Sequence, residues 1–155
     1  MNMRNLISIA ILSAAAAGSD VAAESTVLVT EVASAKDQRS IALDYQSRGD
    51  VSAFNFALDV PGEIKSINTS KCLSELPKGV QGMCQSKGNR VAVVVWTNGN
   101  TPLAAGMTAL GTISYTGTPT GQPMVSKMEA SSPDGASGEM TSNVDTPENT
   151  STHER

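Results

Sequence analysis

The residue types that carry acid–base and metal chemistry are thinly spread in this 155-residue sequence. Its one histidine, His153, stands in the last three residues, inside a polar terminal stretch. A Ser-His-Asp or Cys-His arrangement needs its base inside a folded site, so neither can be built. Asp44, Asp59 and Glu63 are the carboxylates that could pair across a glycosidic bond. Asp44 and Asp59, however, fall on the polar side of alternating segments, where acids ordinarily face water. No catalytic residue is assigned, and the chain is not expected to be an enzyme. Cys72 and Cys84 are the only cysteines. A metal or redox pair calls for CxxC spacing or supporting histidines, and neither is present. In an oxidising compartment the pair reads as a disulfide closing a short loop, worth about 3 kcal/mol. Asp134, in Ser132-Pro133-Asp134-Gly135, is an oxygen ligand of the kind calcium takes, but one carboxylate in a turn falls far short of a ligand set. No metal or cofactor is expected.

Two further features bear on recognition. Sugar-binding faces stack rings on exposed aromatics, and the central region offers Tyr45, Phe54, Phe56, Trp96 and Tyr115. Four of these lie on the apolar side of their segments and read as core. Trp96 ends an apolar run beside Thr97-Asn98-Gly99 and is the candidate binding residue, with a core or rim position as its alternative. Arg48-Gly49-Asp50 matches an integrin-binding tripeptide, yet its place between two alternating segments reads as a hairpin turn, with Gly49 supplying the tight bend.

The elements that position these residues follow from composition and periodicity. Arg4 precedes the apolar run 6–17, and Val21-Ala22-Ala23 offers small residues for a peptidase, the order of a secretory signal peptide spanning 1–23. The run is too short for a transmembrane helix, so export to the periplasm or extracellular space is expected, with no membrane anchor after cleavage. Charge divides along the chain. Residues 24–128 hold 9 basic and 8 acidic side chains, whereas 129–155 hold 1 and 6. Neither part has the basic stripe of a nucleic-acid binder. The stretch 132–155 is rich in Ser, Thr, Gly and Pro and reads as a flexible acidic tail.

Residues 24–131 remain as one domain, and their pattern is β almost throughout. "RSIALDYQ" (39–46) alternates Ile41, Leu43 and Tyr45 against polar or small residues. "VSAFNFALDV" (51–60) puts Phe54, Phe56, Leu58 and Val60 on one face. "STVLVTEVA" (25–33) and "TALGTISYTG" (108–117) are similar, and "GEIKSIN" (62–68) and "QPMVSKMEAS" (122–131) are weaker. "RVAVVVWT" (90–97) is apolar on both faces, as in a strand covered on each side. Turns rich in Gly, Pro and Asn separate these runs, which argues for an antiparallel β-sandwich. The segment 70–88, holding both cysteines, reads as a long loop with a helical turn.

The run "GDVSAFNFALDVPGEI" (49–64) and the run "RVAVVVWTNGNTPLAAGMTALGTISYTG" (90–117), with Pro102, Leu103 and Gly106, resemble the packing pattern of bacterial cohesin-like domains. The resemblance implies a jelly-roll β-sandwich of about nine strands, related to carbohydrate-binding modules. It also implies a non-catalytic binding role, since cohesins bind dockerin modules through one sheet face. The sequence has one such domain and no dockerin-like calcium-loop pair, and no binding residue carries over by position. The expected function is therefore an exported module that binds a protein, with polysaccharide binding as the alternative.

Overall fold

The structure, a computed structural model, describes residues 25–33, 38–138 and 140–145. The signal segment 1–23 and His153 lie outside the described residues. Ten strands are present among those described: β1 (Ser25–Ala33), β2 (Gln38–Ser47), β3 (Ala53–Asp59), β4 (Gly62–Asn68), β5 (Val80–Lys87), β6 (Arg90–Thr97), β7 (Gly106–Pro119), β8 (Met124–Ser131), β9 (Ser137–Gly138) and β10 (Met140–Asp145). They form two five-stranded sheets, ordered β10-β1-β2-β7-β4 and β5-β6-β3-β8-β9. All pairings are antiparallel except β1 with β10.

The period of two in the sequence becomes the inner faces of the sandwich. Val27, Val29, Ile41, Leu43, Ile113 and Tyr115 from the first sheet meet Phe54, Phe56, Leu58, Val91, Val93 and Val95 from the second, all buried. Tyr45 stacks on Phe54 with ring centroids 3.9 Å apart and an interplanar angle of 12°. Tyr45, Phe54, Phe56 and Tyr115 are thus core residues, as their alternation implies.

Four expectations need correction. The strand 90–97 is not covered on both sides. Val91, Val93 and Val95 face the core, while Ala92 and Val94 are exposed on the outer face. Its run of β-branched residues reflects β propensity on a half-covered sheet as well as burial. Arg48-Gly49-Asp50 is not a hairpin turn, because β2 and β3 belong to different sheets and do not pair. The tripeptide lies on the connection that crosses from one sheet to the other, with Gly49 at φ 98°.

The segment 70–88 is not all loop. Residues 70–75 form turns, in which Cys72 N donates to Thr69 O at 3.1 Å, and 80–87 form the edge strand β5. Finally, ordered structure continues past residue 131. β9 pairs with β8, and β10 runs parallel to β1 with Ser25 opposite Met140 and Thr30 opposite Asp145. Met140, Ser142 and Val144 alternate with exposed Thr141, Asn143 and Asp145, so even this polar stretch has one partly covered side.

Candidate functional site

The two sheets present different outer faces, and the registers fix both row by row. On the second sheet, one row reads Gln81, Trp96, Ala53 and Ser131 across β5, β6, β3 and β8. The next reads Met83, Val94, Asn55 and Glu129, followed by Gln85, Ala92, Ala57 and Ser126. The last reads Lys87, Arg90, Asp59 and Met124. Met83 is 52% exposed and Val94 41% exposed, side by side across β5 and β6. Ala53, Ala57 and Ala92 keep the surface beside them low. The result is an apolar platform bounded at one end by an ion pair. Arg90 Nε donates to Asp59 Oδ1 at 2.8 Å and Nη2 to Oδ2 at 3.0 Å, and this bond raises the guanidinium pKa further.

The outer face of the first sheet is hydroxyl-rich. Its rows include Thr141, Thr26, Gln46 and Met107, then Asp145, Thr30, Ala42 and Thr112, then Val32, Ser40, Ser114 and Asn68. Thr26 and Thr141 hydrogen-bond across β1 and β10 at 3.0 Å, and Ser66 and Thr116 across β4 and β7 at 2.8 Å. Its two exposed large apolar residues, Met107 and Val32, stand in separate rows with polar side chains between them.

Trp96 belongs to the apolar platform. It shares the outward parity of Ala92 and Val94 and is half-buried between Gln81 and Ala53. The sequence left open whether it was core or surface; its place is the outer face of the sheet. No second aromatic joins it there, since the other four are in the core.

Cys72 and Cys84 are joined in a disulfide with Cα atoms 6.4 Å apart. The bond has a definite mechanical setting. β4 pairs with β7 only over 114–119, ending at Asn68 opposite Ser114, so the stretch of β7 around Leu110 and Gly111, where its register with β2 shifts, has no strand on that edge. The turn at 70–75 fills that edge: Thr112 N donates to Lys71 O at 2.8 Å, and Glu75 N to Leu110 O at 2.9 Å. Gly111 permits the approach, because a Cβ there would collide with the carbonyl oxygens of Lys71 and Cys72. The disulfide then carries the attachment across the sandwich to β5, where Gly82 leaves room for Leu73. The turn is thereby tied to both sheets, and β5, paired only with β6, gains a second anchor.

The carboxylates do not converge. Asp44 is on the outer face of the first sheet and Asp59 on that of the second, while Glu63 lies on the edge strand β4. Asp134 is engaged within its own turn, accepting from Ser132 Oγ and from Ala136 N, and the serine bond lowers its pKa. Among the described residues no group of three His, Cys, Asp or Glu is placed to hold a metal ion. One buried polar contact escaped the sequence reading. Glu31, on the inward side of β1, accepts a hydrogen bond from Tyr115 Oη and lies 3.9 Å from Arg39 Nη1. Its inward parity with Val27 and Val29 was the available signal.

No protein-family model matches the sequence, and no curated protein matches it. Solved structures do. A non-cellulosomal cohesin from the archaeon Archaeoglobus fulgidus superposes with a TM-score of 0.57 at 16% identity, over 86% of this chain and 99% of that one. A type I cohesin solved in the Coh-OlpC-Doc435 cohesin–dockerin complex of Clostridium thermocellum gives 0.53 at 11% identity, over 79% and 94%. The second type II cohesin module of the ScaA scaffoldin of Acetivibrio cellulolyticus gives 0.50 at 8%, over 79% and 93%. These superpositions, over its two five-stranded sheets, give the chain the fold of a cohesin-like β-sandwich.

Proposed function

We propose that this chain is a non-catalytic, exported protein-docking module that engages its partner through the outer face of β5, β6, β3 and β8. The observation that carries the reading is the pair Met83 and Val94, exposed side by side on a low platform of alanines, against the hydroxyl-rich face of the other sheet. Strand spacing of about 4.8 Å and a rise of about 3.4 Å per residue give the four rows a platform of about 14 by 20 Å. That accommodates one α-helix about 10–12 Å across. An exposed apolar pair flanked by polar side chains, here Gln81, Gln85, Asn55 and Glu129, is compatible with the mixed composition of protein interfaces. The complex of a similarly folded cohesin with a dockerin supports a protein partner. The signal-like N-terminus and the Cys72–Cys84 bond support export.

The testing experiment immobilises the full chain and captures proteins secreted by its native source. The wild type and Thr30→Asp, on the opposite face, retain one stoichiometric protein, and Val94→Asp loses it. Retention by Val94→Asp, or capture of polysaccharide that depends on Trp96, contradicts the reading.

A further inference from the structure

The docking platform is interrupted on one side by a built irregularity. The register of β3 against β8 slips between Asn55 and Ala57, and Lys127 there adopts φ 53°. This is a left-handed conformation that costs a lysine about 1 kcal/mol or more. Asn55 Nδ2 donates to the Lys127 carbonyl at 3.2 Å, holding the bulge in place. That bond uses the amide's donor side and leaves its oxygen as an acceptor. Beside the bulge lies a groove of about 340 Å³, bordered by Ala53, Asn55, Val94, Met128, Glu129 and Ser131. Its walls are apolar at Ala53 and Val94, while Met128 packs its side chain against the core. Its one charged side chain is Glu129, exposed, whose carboxylate makes no ion pair or hydrogen bond among the described residues.

We infer that this groove is the specificity pocket of the docking face and receives a lysine or arginine side chain from the protein partner. The methylene stem lies along Val94 and Ala53, and the cation meets the Glu129 carboxylate and the Asn55 amide oxygen. An acidic side chain would be repelled by Glu129. A wholly apolar one would cover the carboxylate and the amide without replacing their water, an unfavourable exchange. The nearest counter-ion arrangement on the platform, Arg90 with Asp59, is already closed on itself two rows away, so it neither competes for Glu129 nor offers a second cation site. The inference rests on the docking reading above and adds which partner residue is read.

The test titrates the ¹⁵N-labelled full chain with Nα-acetyl-lysine amide, with Nα-acetyl-arginine amide and with the neutral Nα-acetyl-norleucine amide. The cationic probes should shift the amides of Ala53, Asn55, Val94 and Glu129 saturably, and norleucine should bind about tenfold more weakly, the equivalent of one charge-assisted hydrogen bond. Glu129→Gln should reduce the cationic response to the norleucine level while leaving the rest of the spectrum in place. Equal responses to charged and neutral probes, no response in the groove, or shifts centred on Asp44 or Asp134 would overturn the inference. Partner capture separates the two ideas: if Val94→Asp abolishes capture and Glu129→Lys leaves it intact, the docking face stands and the cation pocket does not.

Discussion

Met83 and Val94 face each other across β5 and β6 with both side chains open to solvent, the pair of large exposed apolar residues that adjoin across strands among the described residues. Neither supports the core, whose valines at 91, 93 and 95 point the other way. Val94→Asp should therefore cost no more than about 1 kcal/mol of stability, the range spanned by strand propensity, while removing partner binding. Chemical denaturation of the variant beside a binding measurement checks both halves.

The Cys72–Cys84 bond should matter more for the platform than for the core. Cys72→Ser with Cys84→Ser removes a link worth about 2–4 kcal/mol and releases the second anchor of β5. Amide exchange should accelerate first in 80–87 and in the turn at 70–75, ahead of β2, β3 and β7. Uniform acceleration across all strands would show that the bond acts only on the unfolded chain.

How far the sequence was legible depends on how local the signal is. Phe54, Phe56 and Leu58 alternate cleanly because one face of β3 is core, and the strand is readable from them alone. β5, "VQGMCQSK", is not: its inward positions are Val80, Gly82, Cys84 and Ser86, chosen to accommodate Leu73 and the disulfide rather than to fill volume. β10 escaped for another reason. Its partner β1 lies over a hundred residues earlier, and a parallel pairing leaves no turn signature between the two. Within the candidate site, Val94 was hidden inside an apolar run whose outward half is surface, and the groove depends on a bulge at Lys127 that has no glycine to mark it.

Tyr115 sets an alkaline limit on stability. Burial, and then its bond to Glu31, raise the phenol pKa above its ordinary value of about 10. The folded chain thus holds this proton more tightly than the unfolded chain does. The resulting stabilisation is complete at pH below about 10 and is lost as pH rises toward the folded-state value. Burial raises Tyr45 in the same direction. Urea stability should be flat from neutral pH to about 9 and fall beyond about 10, with phenolate absorbance appearing together with unfolding. Tyr115→Phe should lose about 1–3 kcal/mol at neutral pH, because Glu31 keeps its burial without its donor, and should show a shallower alkaline decline.

The Arg48-Gly49-Asp50 tripeptide should not support cell adhesion. Arg48 Nη2 donates to Asp50 Oδ2 at 2.6 Å, and this bond lowers the Asp50 pKa. The two charges that a receptor would read are directed at each other. A surface coated with the chain should hold no more integrin-bearing cells than one coated with Asp50→Ala; adhesion blocked by a soluble peptide of the same tripeptide would contradict this.

Amide hydrogen exchange of the full chain, free and bound to its captured partner, tests the docking assignment most directly. Protection on binding should fall on β5, β6, β3 and β8, centred on Met83, Val94 and Asn55, with the outer face of β10, β1, β2 and β7 unchanged. Protection centred on the hydroxyl-rich face, or on the loops at either end of the sandwich, would contradict the account.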